Sequence, residues 1–342
     1  MINQAYRLTE PRRFEITYLD TGITSEKVIV RPLFLSLCNA DIRYYTGNRT
    51  KEALKKKLPM ALIHEAVGEV VFDATNQFKS GDLVSMIPNM LGPTKNEIIS
   101  PNYDPQGGFM SSGYDGFMQD YVAMIPNRLI KLPKGFSLEV ASFIELISVA
   151  MHTISRFDKK AHSIRARLGV WGDGNLGYIT ALLLKYKFPQ SEIYVFGKHN
   201  PKLDYFSFVK ETFLIDEIPE SLKLDHCFEV TGGQGSKYAI DQIIEHINPE
   251  GAVALMGVSE YPIEMNTRMI LEKGLTFFGS SRSDRIDFEL VIQMIQQNPE
   301  LTSYFEKLVG SIHSVKNIED IVSSFETELT KSWGKTIMKW DV

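Results

Sequence analysis

The sequence predicts an α/β protein, with a β-rich part ahead of a doubly wound parallel sheet. Three observations lead to that class. The first third of the chain alternates apolar and polar residues between turn signals. From residue 167 onward, short apolar strands alternate with helical stretches, as in a parallel sheet covered on both faces. At the head of that second part stands Gly172-Asp173-Gly174-Asn175-Leu176-Gly177, set between a strand and a helix.

Residues 14–18 and 27–31 alternate like half-buried strands. Residues 66–72 are apolar and lead to Lys79-Ser80-Gly81-Asp82, a turn signal, after which 83–87 resumes a strand. The stretch 88–116, rich in Gly and Pro, reads as a long irregular loop, a kind that usually carries function. Residues 140–157 read as one helix. Strand 168–171 precedes the glycine motif, and a helix over 175–187 follows it. Strands are expected over 192–196, 225–230, 252–256 and 275–278, with a helix over 236–246. Helices over 288–296 and 318–326 and a strand over 336–340 close the chain.

Composition bounds the function. The 342 residues suggest two domains, and 44% hydrophobic with 23% charged residues fits a folded soluble chain. A net charge of −5 gives no basic field for nucleic acid. Two cysteines, Cys38 and Cys227, cannot build a disulfide framework or a four-cysteine zinc site, and they point to a reducing, cytoplasmic compartment. Residues 1–16 carry Arg7, Glu10, Arg12, Arg13 and Glu15 and lack the apolar core of a signal peptide. The apolar run 140–154 contains Glu145 and His152 and is shorter than the ~20 residues that span a bilayer. No membrane partner is expected.

A strand, then G-x-G-x-x-G, then a helix, is the setting of a dinucleotide fingerprint. Gly172 would make the tight turn, Gly174 would let the backbone approach a pyrophosphate, and Gly177 would let helix and strand pack closely. The helix start at Asn175 and Leu176 would face the anion. The next strand ends in Phe196-Gly197-Lys198-His199, without the carboxylate that usually holds the ribose of NAD. Lys198, His199 and Lys202 beside the small Gly197 suit a 2′-phosphate, so NADP(H) is the expected cofactor. The alternative is that these lysines form a solvated surface.

Cys38, the adjacent pair His64-Glu65, and Glu145 are all side chains that suit Zn²⁺. Asp41 could orient the histidine. His64-Glu65 does not begin a metalloprotease motif, because Gly68 stands where the second histidine would be. Spacing alone leaves two alternatives open: Cys38 as a core residue, and Glu145 facing solvent at a helix start. Cys227, in Asp225-His226-Cys227-Phe228-Glu229-Val230, reads as a core thiol. The run Lys55-Lys56-Lys57 reads as a solvated face.

In order along the chain stand Cys38-x-x-Asp41, His64-Glu65-x-x-Gly68, Gly81-Asp82-x-Val84, Glu145 within Glu-Leu-Ile-Ser-Val-Ala, the fingerprint at 172–177, Gly279-Ser280 and Gly334-Lys335. Together they resemble the zinc-dependent medium-chain dehydrogenase/reductase family from end to end. The resemblance implies a GroES-like catalytic domain of residues 1–148 and 287–342, and a Rossmann NADP-binding domain of residues 149–286. It carries zinc-ligand roles onto Cys38, His64, Glu65 and Glu145, with Asp41 beside them, and implies one catalytic zinc per chain. Three segments are most similar to the ribulose-5-phosphate reductases of teichoic-acid and capsule synthesis: residues 38–45, the pair Ile63-His64, and residues 277–284. That similarity implies NADPH-linked formation of D-ribitol 5-phosphate, a homo-oligomer, and a cytidylyltransferase partner that makes CDP-ribitol. Arg43 and Arg282 would then meet the substrate phosphate.

Three departures from the family pattern bear on this. Ala40 stands where many members place a Ser or Thr of the proton relay, which leaves the proton to a water at the metal, Glu65 or Tyr44. Ile63 replaces a usual Gly and is expected to alter the local backbone. Residues 88–116 lack the cysteines of a structural zinc lobe. Two other functions stay open: a zinc dehydrogenase of an unphosphorylated polyol or secondary alcohol, and a non-catalytic NADPH-binding subunit.

Overall fold

The computed structural model describes residues 1–93 and 99–342. The chain divides into two compact units, Met1–Ser148 with Ser283–Val342, and Val149–Arg282. The second boundary therefore falls at residue 282, where the sequence placed it at 286.

The first unit is built on antiparallel sheets. A mainly antiparallel sheet runs in the spatial order Leu129–Lys131, Leu83–Met86, Glu65–Asp73, Val28–Ser36, Lys335–Trp340, Val309–Val315, with Val122–Met124 also paired to Val28–Ser36. The hairpin Ile2–Glu10 and Arg13–Asp20, with Met60–Ala61, makes a smaller sheet. Its core joins Val28, Val30 and Leu35 of the central strand to Phe14, Tyr45 and Phe325. The rings of Tyr45 and Phe325 lie 4.7 Å apart.

Register decides what the first unit can do. The strand Val28–Ser36 runs directly toward Cys38. Ser36 pairs with Glu65 on one side and with Ile337 on the other. Three strands from distant parts of the sequence thus bring Cys38, Glu65 and Lys335 to one end of the sheet. The N–H of Leu37 donates to the carbonyl of Thr336 at 3.0 Å and seals the junction.

The second unit is a six-stranded sheet in which every pairing is parallel. Its spatial order is Glu211–Leu214, Glu192–Gly197, Arg167–Trp171, His226–Glu229, Ala252–Leu255, Thr276–Gly279. The order reverses beside Arg167–Trp171, which carries the fingerprint, and crevices at such points take ligands. The helix Asn175–Lys187 is buried from Gly177 to Leu184. Trp171 stacks on Phe196 at 3.9 Å, and Cys227 lies fully buried in the same cluster.

Several elements differ from expectation. The single helix over 140–157 is two, Leu138–Ala141 and Ile144–Lys160. Ser142 turns its hydroxyl back to the carbonyl of Glu139 at 2.7 Å, a local bond that competes with helix continuation. Glu145 therefore sits in the first turn of a new helix. The loop 88–116 is partly ordered: Asn89–Met90 pairs with Gly108–Phe109, and Pro101–Tyr103 forms a turn of 3₁₀ helix. Its residues 94–98 lie outside the described residues. Ile63 takes the left-handed backbone that favours glycine, with φ of 70°. The glycine-type turn thus persists although the residue is a buried isoleucine. No helix among the described residues is long and apolar enough to cross a membrane.

Candidate active site

Cys38, His64 and Glu65 bring their ligand atoms within 4.8 Å of one another, the one such group found among the described residues. Tetrahedral zinc, with bonds of about 2.0–2.3 Å, needs ligand atoms roughly 3.3–3.8 Å apart, so a small contraction suffices. A thiolate, an imidazole and a carboxylate are a donor set that zinc accepts. Glu145 is buried too, yet it stands beside this group rather than within it. Burial pushes its carboxyl up to about 7. His64 opposes that rise, Glu65 adds to it, and Lys335 opposes it again. A buried carboxyl set between opposite charges in this way is typical of functional sites.

Asp41 stands beside His64 and also ties together the chain around it. Its Oδ1 lies 3.7 Å from His64 Nδ1, beyond hydrogen-bond reach. Its bonds go to the surrounding chain: the N–H of Cys38 (3.1 Å), the N–H of Ile63 (3.0 Å) and the hydroxyl of Ser111 (2.9 Å). Asp41 thus ties the two ligand-bearing segments and the 88–116 loop into one frame. Burial would raise its carboxyl, but His64, the N–H of Ile63 and the hydroxyl of Ser111 hold it below the usual range. Burial would likewise lower His64, but Asp41 and then Cys38 hold it well above the ordinary histidine value. Metal binding needs the neutral imidazole, so it would release that proton.

Four residues that shape the first unit's site escaped the sequence reading. Lys335 is buried and places Nζ 2.9 Å from Oε1 and 2.6 Å from Oε2 of Glu65. Phe109 sets its ring 5.3 Å from that of His64. Ser111 holds Asp41. Lys57, read as solvated, is half-buried, donates to Ser112 at 2.9 Å and lies 5.7 Å from the Tyr44 ring. Of these, Lys335 stood in the Gly334-Lys335 mark and Lys57 in the run 55–57, while Phe109 and Ser111 left no signal in the sequence.

The fingerprint in the second unit fits a dinucleotide. A Cβ on Gly174 would meet nothing within 4 Å, so the space a pyrophosphate needs is open. A Cβ on Gly177 would lie 1.9 Å from the carbonyl of Gly172, so the helix approaches as closely as glycine permits. Gly174 caps the helix that begins at Asn175 and Leu176. Gly197 ends the next strand, and a Cβ there would lie 2.6 Å from Cβ of Asp173. Lys198 and His199 are exposed, and Lys202 is half-buried on the short helix Asn200–Leu203. We expect Gly174→Ala to fold normally while binding NADPH at least about tenfold more weakly, because a methyl would occupy pyrophosphate space. Gly177→Ala should instead lower the melting temperature, because its methyl meets backbone. Calorimetry and cofactor titration of the two variants would separate these outcomes.

Arg43 lies half-buried on the helix Asn39–Tyr45 of the first unit. Arg282 is the last residue of the second unit and has φ of 60°.

An antiparallel unit holding a Cys/His/Glu cluster, and a parallel unit with a fingerprint, define a class: the zinc-type medium-chain dehydrogenases/reductases. The profile of the alcohol dehydrogenase GroES-like domain matches residues 24–134. The chain is 55% identical to a ribulose-5-phosphate reductase of Bacillus spizizenii, over 100% of both chains. It is 52% identical to ribulose-5-phosphate reductase 2 of Staphylococcus aureus, again over 100% of both. The crystal structure of S. aureus TarJ in complex with NADPH matches it with a TM-score of 0.89 and 48% identity, over 100% of each chain. The chain belongs to the ribulose-5-phosphate reductase family.

Proposed function

We propose that this protein reduces D-ribulose 5-phosphate to D-ribitol 5-phosphate with NADPH. The observation that carries this reading is the group of half-buried Cys38 with buried His64 and Glu65, in a chain that matches ribulose-5-phosphate reductases along its whole length. Cys38, His64, Glu65 and Glu145 would hold zinc. A zinc ion there supplies Lewis-acid polarisation of a carbonyl, and NADPH supplies the hydride. The chain's own residues set the conditions. Asp41 fixes the backbone of both ligand segments. Lys335 pairs with the buried carboxylate of Glu65. Phe109 covers one side of His64, and Ala40 contributes no hydroxyl.

The fingerprint glycines 172, 174 and 177, with Asn175 and Leu176, would take the pyrophosphate. Gly197, Lys198, His199 and Lys202 would take the adenosine 2′-phosphate. We assign Arg43 and Arg282 to the substrate phosphate, since guanidinium holds phosphate bidentately. Arg43→Ala and Arg282→Ala should each weaken turnover of ribulose 5-phosphate by about tenfold or more while changing that of plain ribulose little. Equal losses on both substrates would remove the phosphate role. The unit of residues 1–148 with 283–342 would serve catalysis and that of residues 149–282 the cofactor. The enzyme works in the cytoplasm as a homo-oligomer, and a ribitol-5-phosphate cytidylyltransferase consumes its product on the way to CDP-ribitol and teichoic acid.

The direct test is NADPH oxidation with a panel of pentuloses and pentulose phosphates, with and without a chelator. Activity only on unphosphorylated ketoses, or only with NADH, would refute the substrate or cofactor assignment. Absence of zinc from freshly purified protein, with no hydride transfer after zinc is added, would favour a non-catalytic subunit.

A further inference from the structure

Asp173 occupies a variable position of the fingerprint, where the motif itself demands no particular side chain. In the structure its Oδ2 accepts from the N–H of Lys198 at 2.8 Å and from the N–H of His199 at 2.9 Å. The same oxygen lies 2.9 Å from Nδ1 of His199. One carboxylate therefore spans two loops, the one after Arg167–Trp171 and the one after Glu192–Gly197. Its side chain is 14% exposed, against 56% for His199. Gly197 makes the approach possible, because any Cβ there would collide with Asp173.

This arrangement has a consequence for the cofactor. The strand that usually ends in a ribose-binding carboxylate ends here in glycine, and a carboxylate reaches the same turn from the neighbouring loop. Its charge is spent on two amides and an imidazole of that turn. Those amides are no longer available to an anion, so a phosphate at the turn must be met by side chains. The turn offers the side chains of Lys198, His199 and Lys202. Burial would raise the Asp173 carboxyl, but the three donors of the turn hold it below the usual range, so it stays ionised near neutral pH.

We propose that Asp173 is a specificity-determining positioning residue, which pins the turn at 197–199 so that its side chains hold the 2′-phosphate of NADPH. The proposal rests on the NADPH reading above. NADH lacks that phosphate and so gains little from a pinned turn. Loss of the clamp should therefore fall on NADPH and largely spare NADH.

The test is the dissociation constant of each dinucleotide, measured by nicotinamide fluorescence in the intact protein without substrate. In Asp173→Ala the NADPH constant should rise about tenfold or more, and the NADH constant should stay within about threefold, the scale of losing charged hydrogen bonds. Asp173→Asn keeps an acceptor for the amides and should shift NADPH in the same direction by about threefold to tenfold. If Asp173→Ala does not fold, Asp173→Asn decides alone. Parallel weakening of both dinucleotides, or no weakening, overturns the proposal. A wild-type protein without preference for NADPH would instead refute the cofactor reading itself.

Discussion

Cys38→Ser should yield a folded protein that has lost its metal and nearly all of its activity. The side chain is half-buried at the start of a short helix, and its local anchors are backbone groups: the N–H of Cys38 on Asp41, and the N–H of Leu37 on Thr336. The substitution removes one sulfur and leaves those anchors in place. A serine hydroxyl is not ionised at neutral pH and is a much poorer zinc ligand than a thiolate. Outer-shell changes alone cost about 10- to 100-fold in metal affinity, so loss of a direct ligand should exceed that. After dialysis we expect less than about a tenth of an equivalent of zinc, and a kcat/KM lower by about a thousandfold or more. Elemental analysis and NADPH oxidation would check both, with the thermal transition confirming the fold. A variant that kept wild-type zinc and rate would exclude Cys38 as a ligand.

Much of this site was legible in the sequence because its residue types are unusual together. A cysteine, a His-Glu pair and a strand-glycine-helix passage survive as local signals. The geometry that joins them was not legible, because it comes from strand register. Ser36 pairs with both Glu65 and Ile337, and no local pattern encodes that pairing. Lys335 lies 270 residues from Glu65 in sequence, and its partner is visible only in the folded chain. Asp173 escaped because the motif leaves its position free, and its partners belong to the next strand's loop. Asp41 was found as a neighbour of the histidine, but its bonds to the N–H of Ile63 and the hydroxyl of Ser111 were not legible, because both partners are distant in sequence. The hairpin strand Ile2–Glu10 and the strand Val309–Val315 escaped for a related reason. Ile2–Glu10 buries residues irregularly, while Val309–Val315 alternates in exposure but places Ser311 and His313 on the more covered face and Ile312 on the exposed one, so neither shows an alternation of apolar and polar residues.

The same register argument makes Lys335 the most consequential residue outside the proposed ligands. It is 2% exposed and Glu65 is fully buried, so the pair meets almost no water. Burial by itself would lower the lysine's pKa, but Glu65 first, and the Cys38 sulfur after it, raise it above the ordinary value. Lys335→Met would keep the volume of the stem and remove the charge, leaving Glu65 as a buried anion beside Cys38. Breaking one partner of a buried pair typically costs about 3–5 kcal/mol, far more than the pair contributes over an apolar replacement. The denaturation midpoint of Lys335→Met should therefore fall steeply in chelator. Zinc should restore part of the loss, because the cation compensates the stranded carboxylate. The double variant Lys335→Met/Glu65→Gln should recover most of the stability, since it leaves no unpaired charge, and should still bind zinc more weakly than wild type. Lys335→Arg tests geometry against charge: the larger guanidinium keeps the charge but not the space, so its midpoint should lie between those of wild type and Lys335→Met. An unchanged midpoint in Lys335→Met would mean that Glu65 does not depend on this cation, and the double variant would then show no recovery.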